Sequence, residues 1–288
     1  MEVIRQLFWS SRPVSWINTA YPFAVAYWLA TRQVDLNLIL GTLFFLIPYN
    51  LLMYGVNDVF DYESDLRNPR KGGIEGALLE PKWHRITLWS AFISCAPFVI
   101  YLITVGSIEA NLWLGLFVFT VIAYSAKYLR FKERPFLDSL TSASHFVGPM
   151  IYGLALAGVN PLGELTGKLV IAFTLWGVAS HAFGAVQDVK ADREANISSI
   201  ATAIGARATV WLAFFAYLLA AIVLVSVGPL GLVASIAFWP YLAVVAPFMR
   251  ITDESCELAN RGWKRFIWLN YFAGMVVSFV LIWSVLFG

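Results

Sequence analysis

Leu36-Asn-Leu-Ile-Leu-Gly-Thr-Leu-Phe-Phe-Leu-Ile-Pro-Tyr-Asn50-Leu-Leu-Met-Tyr54-Gly-Val-Asn57-Asp58-Val-Phe-Asp61-Tyr-Glu-Ser-Asp65 begins as an apolar run and ends in acids. A helix needs about 20 mostly apolar residues to cross a hydrocarbon core, and Leu36–Val56 supplies them. Asp58, Asp61 and Asp65 follow at spacings of three and four, which stack them on one helix face. Like charges so placed repel unless a cation sits among them. Magnesium suits the position, because it takes oxygen ligands, keeps some waters and bridges carboxylates to phosphates. Asn57, Tyr54 and Asn50 continue the stripe, so a polar track is expected to lead from the acids into the membrane.

The rest of the chain has the same character. Its 288 residues are 59% apolar and 16% aromatic, with only 13% charged, against about 25% charged in soluble domains. The mean hydropathy is +0.70. The formal net charge of +2 comes without a basic tail, which argues against nucleic acid as a partner. Nine apolar runs are read as spans: Trp16–Ala30, Leu36–Val56, Ile86–Val105, Leu112–Ser125, Leu137–Ala157, Leu169–Val186, Ala208–Val227, Leu230–Phe248 and Phe266–Phe287. The expected fold is therefore all-α, a polytopic bundle of nine transmembrane helices forming one domain over 1–288.

Charge orients that bundle. With the N-terminus in the cytoplasm, all but Arg32 and Lys168 of the 20 Lys and Arg fall on the cytoplasmic side, as the positive-inside rule asks. Arg5, Arg12 and Ala24-Val-Ala26 imitate a signal peptide, but the apolar run continues to Ala30, so the reading is a first membrane helix. The C-terminus is expected outside the cytoplasm. Cys95 and Cys256 lack metal-ligand spacing and predict neither a disulfide nor a redox role.

A second acid pair, Asp188 and Asp192, ends the sixth run. Its approach, Ala185-Val-Gln187-Asp188-Val189, repeats the pattern of Gly55-Val-Asn57-Asp58-Val59. An even number of spans lies between, so both sets fall on the cytoplasmic face. The pattern reads as a weak duplication of a four-helix unit (helices one to four and five to eight) with a ninth helix appended, setting the two acid sets toward each other. A single acid at a helix end is usually a solvated loop charge. Five acids at ordered, repeated spacing favour metal binding, with Asp58, Asp61, Asp65, Asp188 and Asp192 as ligands.

A diphosphate needs cations as well. Lys127 is the first candidate, because Tyr124 shares its helix face and directs it inward. Arg12 is the second; Arg130 follows helix four with Lys127, Arg67 follows the first acid cluster, Lys190 sits inside the second, Asn57 is an amide partner and Arg70 is the weakest. Taken singly, each cation reads more simply as a topology charge or a lipid-headgroup contact. Ionisable residues within spans usually face a cavity, so His181 and His145 join Asn50, Tyr54 and Tyr124 as candidate cavity residues. A packed core histidine is the plain alternative for each. Asn18 and Asn270 read as glue between helices.

These residues carry a resemblance. Asn57-Asp58-x-x-Asp61-x-x-x-Asp65 resembles the first aspartate-rich motif of the UbiA superfamily of intramembrane prenyltransferases, and Asp188-x-x-x-Asp192 its second. Tyr124-x-x-Lys127 and Arg12-Pro13 also match family positions. Within the superfamily, Ser11–Phe23, Asn57–Gly73 and Gln187–Asn196 are most similar to the lycopene elongases, with Lys190 a departure from the commonest second motif. The resemblance implies two magnesium ions bridging a prenyl diphosphate donor, dimethylallyl diphosphate, and transfer of the C5 group to lycopene drawn from the bilayer. The active site would face the cytoplasm, with membrane lipids as surroundings. An aromatic quinone precursor or a lipid alcohol is the alternative acceptor. Cation transport is the rival from another class, and the placement of the acids at the membrane edge rather than the midplane argues against it.

Overall fold

The computed structural model describes residues 2–62, 66 and 78–287. Glu63, Asp65, Arg67, Arg70 and Lys71 lie outside them. Among the described residues every regular element is helical. The chain divides into two compact units. Met1–Phe131 with Ser144–Pro161 forms the first, and Lys132–Ala143 with Leu162–Gly288 the second.

Seven described helical stretches are long and apolar enough to cross a membrane: Leu36–Phe60, Pro81–Val105, Ile108–Ser125, Glu164–Val186, Ala206–Val225, Pro229–Phe248 and Trp268–Phe287. The chain is therefore a multi-pass membrane protein, but the expected nine spans are reduced to seven. Two expected spans form helices that fall short for different reasons. Trp16–Thr31 has 16 residues, about 24 Å of rise, whereas the hydrocarbon core is about 30 Å thick. Leu137–Leu156 has 20 residues, but Asp138, Ser139, Thr141, Ser142, Ser144 and His145 make its first half polar.

In the first unit, the run that opens the sequence argument is not one helix. Pro48 lacks an N–H and its ring collides with the carbonyl four residues back. The run breaks at Ile47 into Leu36–Leu46 and Pro48–Phe60. Asp35 starts the first piece by accepting the Leu38 N–H at 2.9 Å. The break strands carbonyls that a continuous helix would satisfy. Asn50, fully buried, donates from Nδ2 to the carbonyls of Phe45 at 2.9 Å and Leu46 at 3.1 Å, and to the Thr19 hydroxyl at 2.7 Å. Thr19 in turn donates to the Phe45 carbonyl. An unmade buried hydrogen bond costs about 1–3 kcal/mol, so Asn50 stabilises the kink. Around it pack Phe23, Phe44, Phe45, Tyr49 and Tyr152, all buried. Gly153 permits this closeness, since a Cβ there would stand 2.9 Å from the Phe23 carbonyl.

The second unit is built on Glu164–Val186 against Ala206–Val225. Ala179, Ala182, Ala213 and Ala220 are buried at this contact, and small side chains let membrane helices approach closely. Ser180 and the Tyr217 hydroxyl join across it at 2.8 Å. Gly177 allows a further close approach, to Lys132–Ala143: a Cβ there would meet that of Ala143 at 2.7 Å. Pro240 and Pro247 divide the stretch Pro229–Phe248 into short α and 3₁₀ turns.

Candidate active site

The first acid set sits where Pro48–Phe60 stops. Asp61 is the C-cap residue, and the side chains of Asp58 and Asp61 are both buried. A buried carboxylate persists only with charge or hydrogen-bond compensation, and two arginines supply charge. Arg12 Nη2 lies 2.9 Å from Asp58 Oδ1, with its guanidinium 4.3 Å above the Tyr54 ring. Arg130 Nη2 lies 3.8 Å from Asp61 Oδ1. Asn57 donates to Asp61 Oδ2 at 2.8 Å and accepts from the Ser125 hydroxyl at 3.1 Å. Asp58, Asp61, Asn57, Arg12, Arg130 and Tyr54 thus form one connected cluster in the first unit.

Both arginines occupy left-handed backbone, Arg12 at φ 49° and Arg130 at φ 38°. Non-glycine residues adopt this region at a cost of about 1–2 kcal/mol, and such strain gathers at functional sites. The fold holds the two cations of the acid cluster in backbone that their side chains disfavour.

Lys127 is placed differently from its expectation. Ile108–Ser125 ends at Ser125 and Ala126 leaves helical geometry at ψ 138°, so Tyr124 and Lys127 share no helix face. Lys127 is exposed, with its ammonium 5.4 Å over the Tyr128 ring. Tyr124 packs edge-to-face on His145 at 5.1 Å. His145 is buried, and its carbonyl accepts from Tyr49 at 3.4 Å. Asn50 lies on the helix Pro48–Phe60 with Tyr54 and Asn57, so the stripe continues to it, with its amide turned back onto the Phe45 and Leu46 carbonyls.

In the second unit, Asp188 opens the short helix Val189–Glu194. The Asp192 N–H donates to the Asp188 carbonyl at 2.8 Å, so the two acids stand one turn apart. Both side chains are half-buried, whereas Lys190 is exposed. At two residues from each acid, Lys190 faces away from them. Gln187, buried before Asp188, receives a hydrogen bond from Asn260. The amide before the first aspartate of each acid set therefore receives a hydrogen bond from another element of its unit. Ser125 and Asn260, which supply those bonds, are not legible in sequence, being distant and of common type. His181 Nδ1 lies 3.0 Å from Ser139 Oγ.

The second acid pair is anchored from outside. Arg193 reaches Asp253 at 2.6 Å and the Thr202 carbonyl at 3.3 Å. Asp253 also accepts the Ala206 N–H at 2.7 Å, where the helix Ala206–Val225 begins. The Ala206 N–H, with Arg193, holds the Asp253 carboxyl below the usual carboxylate range. A depressed carboxylate stabilises the fold above its unfolded value, near pH 4, and that contribution is lost as pH falls through the lower folded value. Asp253→Asn is expected to lower stability by about 1 kcal/mol near neutral pH, through the lost charge on the Arg193 pair and the Ala206 N–H bond, with the gap from wild type closing below about pH 4, as read by thermal unfolding in detergent. An equal gap at pH 3 and pH 7 would overturn the assignment. A groove of about 750 Å³ lined by Gly205, Arg207, Trp211, Thr252, Asp253 and Glu254 contains none of the candidate ligands.

The donors fit magnesium. Magnesium needs one or two carboxylates, with substrate phosphates and waters completing an octahedron. Asp58 with Asp61, and Asp188 with Asp192, offer such pairs.

The described residues thus give a helical membrane protein with an acid set at a helix end in each unit, the first of them buried against arginines. The UbiA prenyltransferase family model matches residues 19–270, and the chain belongs to that family and is a prenyltransferase. Two relatives bring the comparison closer. One, from Dietzia sp., is named C(50) beta-cyclic carotenoids biosynthesis protein LbtBC and is 57% identical over 288 residues, covering 99% of this chain. The chain spans 66% of that relative's length. The other, a lycopene elongase/hydratase of Corynebacterium glutamicum, is 54% identical over 282 residues and covered to 98% in both chains. Among solved structures, a UbiA homolog from Archaeoglobus fulgidus bound to DMAPP and Mg2+ has a TM-score of 0.65 at 19% identity, with 95% of this chain and 99% of that chain covered. That likeness supports the fold.

Proposed function

We propose that this prenyltransferase moves a dimethylallyl group from dimethylallyl diphosphate to lycopene, building C45 and C50 carotenoids and releasing diphosphate. The supporting observation is the 54% identity, end to end, with a lycopene elongase/hydratase. Asp58, Asp61 and Asp65 in one set, and Asp188 and Asp192 in the other, would hold magnesium. Bound magnesium would supply the charge neutralisation that a departing diphosphate requires.

The chain's own groups do the rest. Arg12 and Arg130 bring guanidinium charge to the first acid set and would bind diphosphate oxygens, which suit their forked donors. Arg67, Lys127 and Lys190 are further candidates for that role. Asn57 orients Asp61 through its amide. The Tyr54 ring, beneath Arg12, offers a π-face on which an allylic cation is stabilised. A dry apolar surround keeps water from quenching that cation early. The proposed orientation puts the N-terminus and the active site on the cytoplasmic face, so a water-soluble donor and a lipid-soluble acceptor meet at the membrane edge.

The test is incubation of membranes carrying the chain with labelled dimethylallyl diphosphate, lycopene and magnesium. Label is expected in C45 and C50 carotenoids. Label found only in a prenylated aromatic or lipid alcohol would replace lycopene as the acceptor.

A further inference from the structure

The groove of the second unit takes no part in the chemistry proposed above, and its lining points to an occupant. It holds about 750 Å³, a size that suits a small organic group. The start of the helix Ala206–Val225 supplies Arg207 and Trp211, and the segment after Pro229–Phe248 supplies Ile251, Asp253 and Glu254. Asp253 is already engaged, by Arg193 at 2.6 Å and the Ala206 N–H at 2.7 Å. Arg207 is exposed, and its guanidinium has no ion-pair or hydrogen-bond partner among the described residues. Glu254 is exposed as well. A hydrogen bond from Thr252 holds its carboxyl below the usual carboxylate range, so it is ionised near neutral pH. The groove therefore offers a ligand one cation and one anion.

An apolar ridge leads away from these charges. Trp211 lies one turn beyond Arg207 on the same helix face. Phe215, Leu219 and Ile222 continue that face, and all four apolar side chains are exposed. The Trp211 and Phe215 rings stack at 5.5 Å. Ala206–Val225 is long and apolar enough to cross a membrane, so the ridge meets lipid tails. Trp211, one turn from the charges, stands where indole rings gather between tails and headgroups.

We propose that this groove binds a membrane phospholipid with a primary-ammonium headgroup, its phosphate at Arg207, its ammonium at Glu254 and an acyl chain along Trp211, Phe215 and Leu219. Charge complementarity selects this headgroup. A guanidinium grips phosphate oxygens through paired N–H groups, and the Glu254 carboxylate accepts from an ammonium. An anionic headgroup without an amine satisfies Arg207 but meets Glu254 as a like charge. A quaternary ammonium has no N–H to give Glu254, and one Trp ring is not the aromatic cage that such cations favour. Asp253, in the same groove, holds Arg193 beside Asp192, so the lipid sits against the support of the second acid set. The site is independent of the prenyl-transfer reading.

The test is native mass spectrometry of the full chain, delipidated in detergent and titrated with phosphatidylethanolamine, phosphatidylcholine or phosphatidylglycerol of identical acyl chains. One phosphatidylethanolamine is expected to be retained, at least about fivefold more tightly than either other lipid, the worth of one added hydrogen bond. Arg207→Gln is expected to weaken it about tenfold, as loss of a charge-assisted bond does. Glu254→Gln is expected to abolish the preference over phosphatidylcholine. Both side chains are exposed, so both variants should unfold at the wild-type temperature. Equal retention of the three lipids marks headgroup-independent contact and overturns the proposal, as does tighter binding of phosphatidylglycerol. Wild-type phosphatidylethanolamine affinity in Arg207→Gln places the lipid elsewhere and overturns it too. If soluble phosphoethanolamine binds as tightly as the lipid, the groove serves a free metabolite and the lipid assignment falls. Should Arg207→Gln unfold early, Glu254→Gln decides: a retained preference overturns the proposal, and a lost one supports it.

Discussion

Replacing Asp61 with alanine is expected to lower prenyl transfer by about two to three orders of magnitude, the loss typical when one preorganised electrostatic contact to a developing charge is removed. Asp61 is buried at a helix end, accepts from Asn57 and faces Arg130 at 3.8 Å. On the proposed metal role, its removal would withdraw an oxygen pair from the ion, and it frees Arg130 from its contact with Asp61. Asp188→Ala is expected to match it in activity and to differ in stability. Asp188 is half-buried at the start of a short helix, so its loss should shift unfolding little, by about 0.5 kcal/mol. The deciding measurement is turnover against magnesium concentration. Both variants should need more magnesium than wild type and recover part of their rate at high magnesium. Near-wild-type turnover by either at limiting magnesium would remove that acid from the ligand set. Asp61→Asn separates charge from shape, since its carboxamide still accepts from Asn57; it should be nearly as slow as alanine.

What sequence reveals here follows from the range of each interaction. Asp58 and Asp61 are three residues apart, so helical geometry places them together, and the repeat of Gly55–Val59 in Ala185–Val189 locates a second set. Pro48 was visible, yet reading Leu36–Val56 by hydropathy alone hides the break it makes. Asn50 keeps its place in the stripe, on the helix Pro48–Phe60, and its amide is turned back onto the carbonyls that the break exposes, which spacing does not reveal. Tyr124 and Lys127 have helical spacing, but the helix stops at Ser125 between them, and termination by one residue's ψ leaves no periodic signal. Arg12 stands 46 residues from Asp58 along the chain, and no local pattern encodes that meeting. The two expected spans that fail do so by length and polarity at their ends, where hydropathy windows discriminate least.

Arg12→Ala tests the tertiary contact that sequence reading could only rank. The Asp58 side chain is fully buried and Arg12 is 19% exposed. Removing one partner of a buried pair costs about 3–5 kcal/mol; the partial exposure of Arg12 admits water and lowers the expected loss to about 2–3 kcal/mol. The variant also loses the guanidinium over Tyr54 at 4.3 Å. Arg12→Lys keeps a charge but not the flat fork that reaches Asp58 while lying on Tyr54, so it should recover only part of the loss. The double variant Arg12→Ala with Asp58→Ala should be more stable than Arg12→Ala alone, because no buried carboxylate then remains to be compensated. Arg12→Gly separates backbone from side chain: at φ 49° glycine relieves about 1 kcal/mol that alanine retains, so glycine should be the more stable of the two. Thermal unfolding in detergent, with prenyl transfer assayed alongside, reads all four variants. If Arg12→Ala unfolds at the wild-type temperature, the ion pair contributes nothing to the fold. If alanine and glycine are equally stable, the left-handed backbone at Arg12 stores no strain.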